Sequence, residues 1–152
     1  MLKENDKAPD FELYDQNNKL HKLSNYNDKT LVLYFYPKDM TPGCTTEACN
    51  FRDDYSEFEK KDIVILGVSN DSVESHKKFA EKHKLNFPLL ADVDKKVSIV
   101  YGVYGQKKFM GKIFNGINRT TFIIKEGVIK KIYPKVDVSK HSKEILKDID
   151  KI

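Results

Sequence analysis

The stretch "TLVLYFYPKDMTPGCTTEACNF", Thr30 to Phe51, changes period halfway along. Its first part, "TLVLYFYP", is a nearly unbroken apolar run rich in aromatics, the pattern of a strand buried on both faces. Pro37 stops it. From Cys44 onward the apolar residues recur at steps of four and three: Cys44, Ala48, Phe51, Tyr55 and Phe58. That spacing predicts a helix with one apolar face, running to about Lys60. Thr41 is placed to be its N-cap and Pro42 its first residue, where the missing N–H leaves no bond unmade. A buried strand followed by a short connection and a helix is the repeating unit of a parallel α/β sheet.

The flanking segments extend that unit. "FELYD" and "LHKLS" surround Gln16-Asn17-Asn18 and read as an N-terminal hairpin, with asparagine tolerating positive φ in the turn. "DIVILGVS" is a second buried strand and "SVESHKKFAEKHKL" an amphipathic helix. "NFPLLAD" is a short extended piece, and "KKVSIVYG" a short helix ended by glycine. "RTTFIIK" and "VIKKIYP" form a hairpin through Glu126-Gly127, and "SKHSKEILKDIDKI" closes the chain as a helix. The alternation predicts an α/β fold of thioredoxin-like arrangement. Its mixed central sheet would be flanked by helices, with the N-terminal β-hairpin as an extension. The sequence has no repeat, low-complexity tract or linker, so its 152 residues read as a single domain, 1–152. Ligands of open α/β sheets bind beyond the carboxyl ends of the strands. The junction after Pro37 is therefore where function is expected.

Charge and composition narrow the classes. The 27 basic and 23 acidic residues leave a net charge of +4, and the lysines are scattered rather than striped. This is a solvated surface, and no nucleic-acid partner is expected. The opening "MLKENDKAPDF" lacks the apolar centre of a signal peptide. No apolar run approaches the ~18 residues that would span a membrane. A cytoplasmic location without membrane association follows as the expectation. In a reducing compartment the two cysteines are packing, metal-binding or redox-active rather than a permanent crosslink.

Cys44 falls third in the predicted helix, where a capping box would place an acidic side chain near unpaired N–H groups. A thiolate gains the same support there. Cys49, five residues on, is displaced by about 7.5 Å of rise and about 140° of rotation. A disulfide needs Cα atoms within about 7 Å and converging side chains. Either the two thiols never pair or the first turns of the helix unwind. A segment that begins Thr-Pro-Gly and carries two further threonines is a weak helix former. A cysteine on an apolar helix face is also ordinary core packing. Of the four histidines, only His76 and His83 lie close together, at a spacing that shares no helix turn. No metal site and no cofactor are expected. Arg52 and Arg119 are the only arginines in a lysine-rich chain. Arg119, at the start of an apolar strand, reads either as a strand-end ion pair or as a fork-shaped, permanently charged donor to an anion. Arg52 reads as a surface or supporting residue.

Pro37, Thr41 and Cys44 together spell Pro-x-x-x-Thr-x-x-Cys, which resembles the active-site motif of peroxiredoxins. Cys49 and the adjoining "FRD" make the stretch similar to the bacterioferritin-comigratory-protein or peroxiredoxin Q branch. Nearly the whole chain shares the likeness, through "APDFEL", "LVLYFYPKD", "VILGVSNDSVESHKKFAEKH", "FPLLAD", "YGVYGQKKFMGK" and "RTTFIIKEG". Tyr104 stands where relatives often have tryptophan. The resemblance implies a thiol peroxidase of peroxiredoxin-type thioredoxin fold, acting on hydrogen peroxide and organic hydroperoxides. It implies that Cys44 attacks the peroxide and becomes a sulfenic acid, that Thr41 hydrogen-bonds the peroxide, and that Pro37 covers the pocket. Arg119 would hold the thiolate and the peroxide oxygens. Cys49 would resolve the sulfenic acid as an intramolecular disulfide, which thioredoxin or a similar dithiol would reduce. A monomer is expected. The displacement chemistry agrees with these roles, since a second thiol diverts a sulfenic acid from further oxidation. Two other readings are a thiol–disulfide oxidoreductase, suggested by the order of elements, and a redox-sensing holdase chaperone.

Overall fold

A computed structural model describes the chain from Met1 to Ile152, the side chain of Phe109 excepted. In chain order it runs β1 (Glu12–Tyr14), β2 (Leu20–Lys22), a 3-10 turn (Leu23–Tyr26), β3 (Thr30–Phe35), α1 (Pro42–Asp53), α2 (Tyr55–Lys60) and β4 (Ile63–Ser69). It continues through α3 (Val73–His83), β5 (Leu89–Ala91), α4 (Lys96–Val100), β6 (Tyr104–Phe109) and β7 (Lys112–Ile117). It ends with β8 (Thr120–Lys125), β9 (Val128–Tyr133) and α5 (His141–Ile149). The central sheet has the order β5-β4-β3-β8-β9. The strand read as central is indeed flanked on both sides: β3 pairs in parallel with β4 and antiparallel with β8.

The strand period sorts the core into two layers. Leu31, Leu33 and Phe35 pack with Phe11, Tyr101, Val103 and Phe122 on one face. Val32, Tyr34 and Tyr36 pack with Cys44, Phe51, Phe58, Phe79 and Ile145 on the other. The second layer is contributed largely by α1, α2, α3 and α5, so the apolar helix face read from the sequence is the face that meets the sheet. Each fully buried aliphatic or aromatic side chain stabilises the fold by roughly 1.5–3 kcal/mol.

Local signals explain the ends of elements. Asn18 has φ 60° in the first hairpin turn, and Glu126 and Gly127 have φ 51° and 74° in the last. Ser72 caps α3 by accepting from the Ser75 N–H at 3.1 Å. Two features depart from the sequence reading. The helix expected to reach Lys60 is broken at Asp54 (φ −94°, ψ 5°) into α1 and α2. The Asp54 carboxylate there accepts from Ser142 Oγ and Lys143 Nζ, both at 2.7 Å, which ties the break to the start of α5. The β6–β7 hairpin was not anticipated. It forms a separate two-stranded sheet closed by Met110 and Gly111, both at positive φ. Ile113 and Phe114 remain exposed, so the strands bury no continuous face and carry little alternation to read.

Candidate active site

The connection from β3 to α1 carries the thiol and is held from several sides. The backbone N–H of Asp39 donates to Asp71 Oδ2 at 2.8 Å. The Asp39 carboxylate accepts from Tyr36 Oη at 2.6 Å and Ser75 Oγ at 2.8 Å, and it meets His76 Nδ1 at 2.7 Å. His76 Nε2 lies 3.0 Å from the Leu90 carbonyl oxygen. Asp39, Asp71 and His76 bring their ligand-type atoms within 4.8 Å of one another. Those atoms are engaged in hydrogen bonds that fasten the connection to β4, α3 and β5.

Thr41 has the extended N-cap conformation expected of it, and Pro42 opens α1. Its hydroxyl does not cap the helix, contrary to the role the sequence suggested. It donates to the Lys38 carbonyl at 2.8 Å, three residues back. With its proton directed there, the hydroxyl keeps its lone pairs for another donor. Cys44 follows at the third helical position and is 2% exposed. Cys49 is half-buried farther along the same continuous helix, and both thiols are free.

Arg119, immediately before β8, closes the site. Its Nη2 donates to Cys44 Sγ at 3.3 Å, and its Nη1 donates to Glu47 Oε1 at 2.7 Å. The guanidinium thus pairs with one buried carboxyl group and points its second nitrogen at the thiol. Glu47 is fully buried beside it, and its Oε2 has no hydrogen-bond partner among the described residues. Burial pushes the Glu47 carboxyl up to about 7, against the opposing pull of the guanidinium. Glu47 was not singled out from the sequence. The available signal was position: it lies three residues after Cys44 and four before Phe51, an acid on the apolar face.

A cleft of about 600 Å³ opens at this end of the sheet. Pro37 and Thr41 line it from the β3–α1 connection, Gly43 from the start of α1, Arg119 from just before β8, and Tyr104, Lys107 and Phe114 from the β6–β7 hairpin. The structure thus brings Pro37, Thr41, Cys44 and Arg119 to one place. Cys49 lies along the helix rather than in the cleft lining. Arg52 supports the scaffold, donating from Nη1 to the His83 carbonyl at 2.6 Å at the end of α3. No helix among the described residues is long and apolar enough to cross a membrane.

A buried thiol at the first βα junction is thus gripped by an arginine at the mouth of a cleft. The chain belongs to the AhpC/TSA family, whose family model matches residues 5–132. It is 52% identical over 144 residues to peroxiredoxin Bcp of Bacillus subtilis (strain 168), covering 94% of this chain and 92% of that one. It is 42% identical over 146 residues to peroxiredoxin Bcp of Escherichia coli (strain K12), covering 95% and 94%. Among solved structures it resembles a cysteine-to-serine mutant of Xylella fastidiosa PrxQ, with TM-score 0.92, 34% identity and 99% and 97% coverage. Within the family it is a thiol peroxidase of the Bcp, or peroxiredoxin Q, type, with two cysteines consistent with a peroxidatic and resolving pair.

Proposed function

We propose that Cys44 is the peroxidatic nucleophile, Cys49 the resolving thiol, and Thr41, Arg119 and Pro37 the groups that bind and shield the peroxide. The observation that carries this reading is the 3.3 Å contact between Arg119 Nη2 and Cys44 Sγ at the cleft. A guanidinium at that distance is a fixed donor that stays in place as charge moves from sulfur onto oxygen. Thr41 accepts a hydrogen bond from the hydroperoxide O–H on its free lone pairs. Pro37, which has no N–H, gives the cleft an apolar wall. The Cys44 thiolate attacks the terminal peroxide oxygen, the O–O bond breaks, and an alkoxide or hydroxide leaves.

The sulfenic acid on Cys44 then condenses with the Cys49 thiol, releasing water and forming an intramolecular disulfide. Both residues sit on the continuous helix α1, so this step needs its first turns to open. Thioredoxin or a similar dithiol reduces the disulfide, and the protein acts as a cytoplasmic monomer. Hydrogen peroxide and organic hydroperoxides are the substrates. A Xanthomonas campestris bacterioferritin comigratory protein, 37% identical with TM-score 0.87, has been studied for alkyl peroxide reduction, which supports the organic class. The thiol–disulfide oxidoreductase reading loses support because Cys44 is only 2% exposed in the dithiol form, which suits a small peroxide better than a protein disulfide.

Non-reducing mass spectrometry after an equivalent of peroxide tests the assignment. Wild type should yield a Cys44–Cys49 crosslink within one chain, and Cys49→Ser should stop at the sulfenic acid. Peroxide turnover that survives in Cys44→Ser would remove the assignment.

A further inference from the structure

The departing oxygen in this reaction is strongly basic, and the groups around the thiol are poorly suited to protonate it. Arg119 stabilises negative charge but does not release its proton. The Thr41 hydroxyl proton is directed to the Lys38 carbonyl. Lys107 stands in a different position. It projects from β6 into the cleft that Thr41 and Arg119 also line. Its Nζ donates to the Ile117 carbonyl at 2.7 Å, two residues before Arg119. That bond uses one of the three ammonium protons and leaves two for the cleft.

A neighbouring glycine leaves room for the stem. A Cβ on Gly116 would lie 3.3 Å from Lys107 Cδ, a tight contact that the missing side chain avoids. The charged groups that act on Lys107 come from outside its own hairpin. Burial and the Arg119 guanidinium push its pKa down, and the Cys44 thiolate pulls it back up. Glu47 faces Arg119 from α1, while Lys38 and Lys95 add cations to the cleft wall. No acidic residue is among those lining the cleft. An ammonium held beside other cations is a better acid than one in water.

We propose that Lys107 is the general acid that protonates the leaving oxygen of the peroxide. This rests on the reading that Cys44 attacks. As the sulfur–oxygen bond forms and the O–O bond breaks, the electron pair goes to the leaving oxygen. An Nζ proton of Lys107 passes to it, giving an alcohol or water and a neutral amine. Water from the cleft then returns the proton to Lys107. The β6–β7 hairpin, which contributes nothing to the central sheet, thereby acquires a catalytic role.

The test grades peroxides by their need for that proton. Single-turnover oxidation of Cys44, with no reductant present, is followed for wild type, Lys107→Met and Lys107→Arg. The oxidants are tert-butyl hydroperoxide, hydrogen peroxide and peroxyacetic acid, whose leaving acetate needs no proton. Lys107→Met should slow the first two by about 100-fold. With peroxyacetic acid the loss should stay below about threefold, which also shows that the variant is folded. Lys107→Arg, which keeps the charge but holds its protons, should be as slow as Lys107→Met. Equal losses with all three oxidants, or wild-type rates in Lys107→Arg, would overturn the proposal. Failure of wild type itself to oxidise at Cys44 would instead strike the peroxidase assignment.

Discussion

Gly43 and Arg119 approach so closely that a Cβ on residue 43 would lie 3.3 Å from Arg119 Nη2. The same nitrogen holds Cys44 Sγ at 3.3 Å. Glycine at the second helical position therefore lets the guanidinium reach the thiol over the helix start. Gly43→Ala should move the guanidinium by a few tenths of an ångström and slow Cys44 oxidation about three- to tenfold. Stability should hold or rise by up to about 1 kcal/mol, because alanine is the better helix former. Rapid-mixing kinetics and urea unfolding on one preparation measure both. A variant as fast as wild type would show that the close approach has no bearing on rate.

Arg119 couples two buried groups, and its substitutions should separate them. Arg119→Lys offers one point donor in place of a fork and cannot bridge Cys44 Sγ and Glu47 Oε1 together. Cys44 oxidation should fall by about 10²- to 10³-fold. Arg119→Ala should fall at least as far and, at about pH 8 where Glu47 has lost its proton, should also destabilise the fold by about 3–5 kcal/mol, since it strands a buried carboxylate. Adding Glu47→Gln to Arg119→Ala should recover part of that stability and none of the rate. Recovery of rate in the double variant would mean that Arg119 acts only as the counterion of Glu47.

The strength of the local pattern decided which of these features the sequence disclosed. The change of period between Leu31–Tyr36 and Cys44–Phe58 was strong because both elements bury a face against the same core. Arg119 stood out because the chain otherwise relies on lysine. Glu47 did not, since an acid on a helix ordinarily faces water, and only the fold shows that this one is fully buried. The β6–β7 hairpin was invisible for the opposite reason: Ile113 and Phe114 are 58% and 45% exposed, so no alternation is imposed on it. Lys107 was hidden with it. A threonine at an N-cap reads as bonding forward to the helix end, whereas here the hydroxyl donates back to the Lys38 carbonyl.

The Glu47 carboxyl gives the fold a pH dependence of known sign. Burial raises it from 4.5 to about 7. Between those values the folded protein holds a proton that the unfolded chain has released. Its contribution to stability is therefore present at low pH and is lost as pH rises through about 7. The loss assignable to this one group is on the order of 3 kcal/mol. Glu47→Gln cannot release a proton, so its unfolding free energy should lack this decline. Urea unfolding of the reduced proteins at about pH 5 and about pH 8 provides the comparison. Parallel pH profiles for the two proteins would show that Glu47 is already ionised across the whole range.

The opening of α1 should govern how fast the disulfide closes. Cys44 and Cys49 sit on one unbroken helix, and Thr46 Oγ1 donates to the Pro42 carbonyl at 3.0 Å, a bond that weakens the first turns. Replacing Thr45 and Thr46 together by alanine should favour the helix by about 1 kcal/mol, since each threonine is a poorer helix former. If opening precedes closure, disulfide formation should slow about fivefold, while Cys44 oxidation should change by less than about twofold. Quenched-flow sampling with non-reducing mass spectrometry separates the two steps. Amide exchange over residues 42–50 should be faster in the disulfide form than in the dithiol form. Unchanged closure in the double-alanine variant, with equal exchange in both redox forms, would mean that the thiols meet without unwinding the helix.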